Sequence, residues 1–324
     1  MACVLGACGG QATGPKQHVQ VPPGASFVQV ADSLRARGIV RFAPVFRAYA
    51  RLRDADSRVR PGTYAFQRGQ AWSSILADLR SGRVVTAKIV IPEGWSTVGI
   101  APRIAAITGV DSATVLKRLL SDSLPARYDV PGPTLEGYLY PATYDFPLNV
   151  DADTVIARMV ATYKRVWTAA RQAKADSLQM SEREVITLAS IVEKEAKRRE
   201  EMPLIASVYH NRLRIGIPLQ ADPTVQYALG THRQRLLYSD IRQVENNPYN
   251  TYQIRGLPPG PIGSPSSMAI DATLQPATTK HLYFVARPDG SHIFTNSLVE
   301  HNRAKRQVRL QAQRAATSPP NAPR

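Results

Sequence analysis

The 324 residues suffice for two ordinary domains, and 44% hydrophobic against 20% charged side chains is a globular balance that excludes bulk disorder. Lys and Arg outnumber Asp and Glu by 41 to 25, a formal net charge of +16, which points to an anionic partner such as nucleic acid, acidic lipid or a cell wall and says nothing of fold. Both cysteines, Cys3 and Cys8, fall at the extreme N-terminus, so the body of the chain has no disulfide, thiolate metal site or redox motif.

In chain order, MACVLGACGG reads as the remnant of an export or membrane-anchor segment over residues 1–15, ending in a lipoprotein-like Leu5-Gly6-Ala7-Cys8 but lacking a basic start and a long apolar run. No later segment approaches the run of about 18 apolar residues that a membrane span requires. Residues 16–21 alternate as a strand, and Ser26 with Gln29 forms a capping-box pattern ahead of a helix carrying Phe27, Val30, Ala31 and Leu34. A second helix carries Phe42, Val45, Phe46, Tyr49 and Leu52. Thr63–Phe66 is a strand, and Trp72, Ile75, Leu76 and Leu79 mark a third helix stopped at Gly82. Together these make a small α+β module over 16–85.

A connecting α/β segment over 86–150 holds a strand at Val84–Ile91, two helices over 97–108 and 111–121, and an irregular stretch over 129–147 rich in Pro, Gly and Tyr. A mainly helical domain over 151–312 follows. Its helices begin at Asp151 or Asp153 and at Ser181, where Glu184 completes a capping box, and another carries Leu204, Ile205, Val208 and Leu213. Residues 217–265 read as loop. Leu282–Ala286 and His292–Thr295, split by Asp289-Gly290, form a β-hairpin, and a closing helix starts near Ser297. Residues 313–324 are expected to be a disordered tail; Arg303 to Arg324 contains six basic side chains and no acidic one.

The helix reading EVITLASIVEKEAKR is the most informative for chemistry. Its apolar stripe is Val185, Leu188, Ile191 and Val192, and Glu195 continues that stripe at helical spacing. A carboxyl at the edge of an apolar face loses water and holds its proton to higher pH, as a general acid requires. Glu193 lies about 200° away, two residues at about 100° each, on a flank more easily solvated. The plainer alternative makes both glutamates surface partners of nearby Lys and Arg. A second cluster, Gln220, Asp222 and Thr224 within a Pro-bounded loop, suits sugar hydroxyls, or else is an Asx-type start to a helix at Pro223. A third, Asn250 and Tyr252 before a Gly/Pro loop, suits a groove wall or is purely structural. There is no H-E-x-x-H, P-loop, nucleophile elbow or dinucleotide fingerprint, which leaves zinc-protease, ATPase, esterase and dehydrogenase chemistry without support. Nucleic acid has only charge in its favour, with no basic helix or aromatic strand motif beside it.

Taken together, LEGYLYPATYDFP (135–147), ASIVEKEA (189–196), VYHNRLRIGIPLQADPTVQYALG (208–230), NTYQIRGLPPGPIGSP (250–265) and LYFVARPDGSHIFTNSLVEHNRA (282–304) resemble the endolytic murein transglycosylases, the YceG-like family. The similarity reaches back over PGTYAF and IPEGW, so it covers about residues 20–310. The resemblance implies an α+β protein with a small LysM-like N-terminal module and a helical, lysozyme-like transglycosylase domain. It implies cleavage of the MurNAc–GlcNAc bond of nascent peptidoglycan strands with a 1,6-anhydro-MurNAc end. No cofactor, metal or nucleic acid is involved on this reading. It further implies an inner-membrane anchor, an extracytoplasmic body and peptidoglycan synthases as partners, the alternative being a wall-binding protein without catalysis. It makes Glu195 the catalytic acid and base, with Gln220, Asp222, Thr224, Asn250 and Tyr252 as substrate-binding candidates. One departure is Ala196, where relatives carry Thr or Ser beside the glutamate, so another group must orient the carboxyl.

Overall fold

The computed structural model describes residues 12–231, 233 and 236–317; residues 1–11 of the export remnant expected over 1–15 and residues 318–324 of the tail lie outside the described residues, while residues 13–15 of that remnant begin a strand. In chain order the elements are β1 (Thr13–Val21), α1 (Phe27–Ala36), α2 (Ala43–Leu52), β2 (Gly62–Arg68), α3 (Trp72–Ser81), β3 (Thr86–Val90), α4 (Thr97–Thr108), α5 (Ser112–Leu119), α6 (Leu124–Tyr128) and β4 (Thr143–Pro147). They continue as α7 (Ala152–Val166), α8 (Ala169–Ser177), α9 (Glu182–Glu195), α10 (Met202–Arg214), α11 (Asp222–Leu229), α12 (Tyr238–Gln243), α13 (Ser267–Leu274), β5 (Tyr283–Ala286), β6 (His292–Thr295) and α14 (Leu298–Thr317). Helices and small two-stranded sheets mix along the chain, an α+β arrangement. Among the described residues no helix is long and apolar enough to cross a membrane.

The chain divides into two compact units. Of the described residues, the first unit holds those from 12 to 89 with 104–110 and 143–155, and the second those of 90–103, 111–142 and 156–317. In the first unit β1 and β2 pair antiparallel, with Gln17 opposite Phe66 and Val21 opposite Gly62. Ser26 and Gln29 close a reciprocal capping box that starts α1, and Gly82 ends α3 in the left-handed region at φ 72°. The core is built from Val19, Leu34, Phe46, Tyr64, Phe66 and Ile75, all at most 1% exposed; burying one such large side chain contributes about 1.5–3 kcal/mol. On α2 the buried face is Ala43, Phe46 and Ala50, while Phe42, Val45 and Leu52 are exposed. The stripe expected from the sequence runs through the bulkier residues. The packed helix instead turns its alanines inward, where small side chains let its backbone pack closely against α1.

Residues 143–147, expected to be irregular, form β4 and pair with β3. Their buried–exposed alternation, Tyr144 and Phe146 inward, is that of a half-buried strand. The tail expected from residue 313 is helical to Thr317 as the end of α14. Residues 217–265, expected as loop, include the short helices α11 and α12.

In the second unit α9 is central. It starts from the Ser181–Glu184 capping box, and Val185 through Val192 are buried without interruption. It packs against α8, α10, α11 and α13. The Gly/Pro loop runs along it: Ile262 N–H donates to Ser190 Oγ at 3.0 Å. Gly137 adopts φ +84° where a Cβ would come within 2.6 Å of Pro261 and 3.3 Å of Ile186, so only glycine fits between loop and helix. Strands β5 and β6 form the expected hairpin, Tyr283 opposite Thr295 and Ala286 opposite His292.

Candidate active site

Helix α9 ends at Glu195, because Ala196 leaves the helical region at φ −75°, ψ 114°. The carboxyl is therefore delivered at the C-terminus of a helix buried through most of its length, where the helix dipole disfavours negative charge. It opens on a cleft of about 750 Å³ formed with α10, the 219–222 turn, α12, the hairpin and α14. Tyr209 on α10, 2% exposed, donates its hydroxyl to Glu195 Oε1 at 3.0 Å. Burial, and secondarily the charge of Asp222, pushes the Glu195 carboxyl from the ordinary 4.5 to about 7, the Tyr209 bond working in the opposite direction. Burial and the neighbouring Glu195 raise the Tyr209 phenol well above its normal value, so it stays a donor. Tyr209 thus gives the carboxyl a directed partner beside Ala196, which offers no hydroxyl.

The other sequence-derived candidates divide. Gln220, Asp222 and Tyr252 line the same cleft as Glu195. Asp222 sits at its exposed rim and accepts from Tyr252 Oη at 2.5 Å. Gln220 takes a positive φ of 51° and accepts from Arg212 Nη1 at 3.2 Å. Thr224 and Asn250 do not face the cleft, which corrects the expectation for both. Thr224 is fully buried and bonds Ala221 O at 2.7 Å and Thr251 Oγ1 at 2.8 Å. Asn250 is fully buried, donates to the carbonyls of Ile241 and Val244, and accepts from Tyr252 N–H. Each spends its polar atoms on backbone that would otherwise be orphaned, so each shapes the wall from behind. The Gly/Pro loop does not reach the Glu195 cleft: its Ile262 end bonds α9, and Gly256 to Pro259 line a different cavity.

Three further side chains matter whose roles the sequence reading misses. Arg212, 5% exposed, donates to the carbonyls of Leu282, Pro218 and Leu219 and lies 4.9 Å from the Tyr283 ring centroid. It thereby ties the hairpin to the turn bearing Gln220. Glu193 is not a solvated flank residue: its Oε2 accepts from Ser266 N at 2.9 Å and Ser266 Oγ at 2.5 Å, anchoring the start of α13. Glu136, 2% exposed, accepts from Thr97 N at 3.1 Å, Thr97 Oγ1 at 2.8 Å and Tyr227 Oη at 3.3 Å. Burial raises its carboxyl to about 7 against the pull of those donors. Its signal in the sequence is a lone acid within the otherwise apolar run Leu135–Leu139.

A larger cavity of about 1050 Å³ lies on the other side of α9 and α10, lined by Thr187, His210 and Pro258 among others. Its one carboxylate, Glu184, is held in the α9 capping box. Of these two cavities, the smaller joins a proton-holding carboxyl to a directed donor. Among the described residues no group of three or more His, Cys, Asp or Glu is arranged to hold a metal.

The model of the YceG-like family matches residues 19–307. The chain belongs to that family. A Bacillus subtilis relative named endolytic murein transglycosylase is 33% identical over 305 residues, which cover 89% of this chain and 83% of that protein. Proteins of the same name in Streptococcus pneumoniae are 29% identical over 316 residues, and there the match spans 88% of this chain but 57% of theirs. The crystal structure of a yceG-like protein from Listeria monocytogenes superposes with a TM-score of 0.61 at 34% identity, covering 90% of this chain and 100% of that one.

Proposed function

We propose that this chain is an endolytic peptidoglycan lytic transglycosylase, with Glu195 as its acid and base. The observation that carries the reading is a single desolvated carboxyl, its pKa raised to about 7, held by Tyr209 and opening on a cleft lined by both polar and apolar side chains. The names of the relatives point to the same substrate class. Glu195 gives its proton to the glycosidic oxygen between MurNAc C1 and GlcNAc, and that C1–O bond breaks. The resulting carboxylate takes the proton of the MurNAc 6-hydroxyl, whose oxygen bonds to C1 and closes the 1,6-anhydro ring. The nucleophile belongs to the substrate, so a second catalytic carboxylate is unnecessary, unlike in most glycosidases. Intramolecular closure also avoids the entropy of recruiting water. The Asp222 carboxylate, oriented by Tyr252, stands at the rim, where its charge helps keep Glu195 protonated. Gln220 and Tyr252 bind the glycan.

The test is digestion of purified sacculi with products read by mass spectrometry. The wild type should release 1,6-anhydro-MurNAc ends, and Glu195→Gln, which keeps shape but removes the transferable proton, should lose at least ~10²-fold. Glu193→Gln should retain most activity. Reducing MurNAc ends would indicate a hydrolase using Asp222 as second carboxylate, and binding without release would indicate a wall-binding protein. We also propose that the β1–α1–α2–β2 portion of the first unit is a LysM-like glycan-binding module. The body then lies outside the cytoplasm, tethered to the inner membrane and working beside peptidoglycan synthases. Deleting residues 16–82, the module itself, should weaken sacculus binding more than turnover of short soluble glycans, and cell fractionation reads the tether.

A further inference from the structure

Along one wall of the cleft, Tyr209 meets Phe284 edge-on at 5.9 Å between centroids, and Phe284 meets His292 edge-on at 5.3 Å. His292 opens β6 and is buried, 7% exposed, yet forms part of the cleft lining. Its ring is fixed by Glu201, which follows α9 in the turn leading to α10. Glu201 Oε2 lies 2.6 Å from Nδ1, and Oε1 accepts the His292 main-chain N–H at 3.1 Å. Glu201 is itself only 14% exposed at its side chain. With Nδ1 and the main-chain nitrogen both given to one carboxylate, Nε2 is the remaining polar atom of a ring that lines the cleft. A histidine that only filled space would not need a two-pronged carboxylate to set its orientation. That device is the one proteins use to fix which imidazole nitrogen faces a ligand.

We propose that His292, positioned by Glu201, is an N-acetyl recognition subsite of the glycan cleft, reached along its wall from Glu195 by way of Tyr209 and Phe284. This rests on the reading of the cleft as a glycan site. An acetamido group carries both an N–H and a C=O, so it pairs with Nε2 whether that atom accepts or donates. Its methyl needs an apolar neighbour, which the Phe284 ring supplies beside His292. A site built this way rejects the de-N-acetylated sugar, because the buried imidazole loses its partner. His292 is then a specificity residue and Glu201 a positioning residue, and neither takes part in bond breaking.

Two measurements judge this. The first follows the His292 ring nitrogens by ¹⁵N NMR in Glu195→Gln protein, so that nothing is cleaved, during titration with chitotetraose and with its de-N-acetylated counterpart. The Nε2 resonance should move with the first and stay with the second; no movement with either, or equal movement with both, overturns the proposal. The second compares wild type, His292→Ala and Glu201→Gln on sacculi that are native, de-N-acetylated, or de-N-acetylated and re-acetylated. The wild type should show a KM lower by about tenfold on the acetylated forms, the size of one lost hydrogen bond to a buried group. His292→Ala should erase that preference while keeping kcat within a few-fold, and Glu201→Gln should weaken it. A variant that loses kcat at unchanged KM, or that loses equally on all three substrates, overturns the proposal. Wild type that binds the acetylated tetramer through His292 yet makes no anhydro ends would sink the transglycosylase reading and leave this subsite standing.

Discussion

Replacing Asp222 by Asn isolates one of the two influences that keep Glu195 protonated. Burial is the larger and the Asp222 charge the smaller; together, against the Tyr209 bond, they move the carboxyl from 4.5 to about 7. That displacement corresponds to about 3 kcal/mol of preference for the neutral form. Asn retains an oxygen that can accept from Tyr252, so the rim geometry survives while the charge goes. The Glu195 pKa should then fall, but stay above 4.5 because burial is untouched. Since the reaction begins with a protonated Glu195, activity is lost as pH rises through this value. The basic limb of the kcat/KM profile should therefore move to lower pH in Asp222→Asn. At a pH well above both limbs, the variant's rate falls by about tenfold for every pH unit the limb has moved, and at a pH well below them it hardly changes. The assay is release of anhydro-muropeptides from sacculi across neutral pH. A basic limb that stays put or moves upward would refute the electrostatic reasoning. A uniform loss at every pH would instead show that the Asp222 charge acts on the transition state.

Tyr209→Phe removes the donor that favours the ionised carboxylate, so the basic limb should move upward while kcat falls through looser positioning; an unmoved limb would mean that the phenol does not bond Glu195 in solution. Glu136 is the second acid raised to about 7. A carboxyl whose folded pKa lies above its unfolded one contributes stability in full below pH 4.5, and that contribution is lost as pH rises to about 7. Glu136→Gln, which can keep bonds to Thr97 and Tyr227, should remove on the order of 3 kcal/mol of that decline and be the more stable protein in mildly alkaline buffer. Urea melts on the acid and alkaline sides of neutrality read this directly, and identical pH slopes for the two proteins would contradict it.

The catalytic helix is legible in the sequence because one period governs it: the stripe Val185–Leu188–Ile191–Val192 leads to Glu195, and the real helix ends at that residue. The loops are harder. Spacing names the polar residues of a Pro-bounded turn but not which way each points, and so Asp222 and Tyr252 reach the cleft while Thr224 and Asn250 turn inward. Tyr209 lies in a stripe with Ile205 and Val208 and reads as plain core; only its partner across helices gives its hydroxyl a purpose. Helical spacing sets Glu193 apart from the Glu195 face, yet what waits on its flank is Ser266, seventy-three residues away in sequence, which no local pattern announces. Strand β4 shows in the Thr143–Phe146 alternation, but Pro141 and Pro147 at its ends draw the reading toward loop.

The unbroken burial of Val185 through Val192 fixes which side of the cleft is able to give way. A helix enclosed on every face cannot slide or tilt without reopening close-packed contacts along its length, each too dense to deform by small steps. The wall opposite is different: Leu298 and Tyr238 are exposed there, and the β5 residues Tyr283, Phe284 and Val285 are only partly covered. A polymer threading past Glu195 must therefore be admitted by breathing of the hairpin and its neighbouring helices, with the acid itself as the stationary anvil. Hydrogen exchange should accordingly be slow along α9 and faster along β5, and bound glycan should protect the second far more than the first.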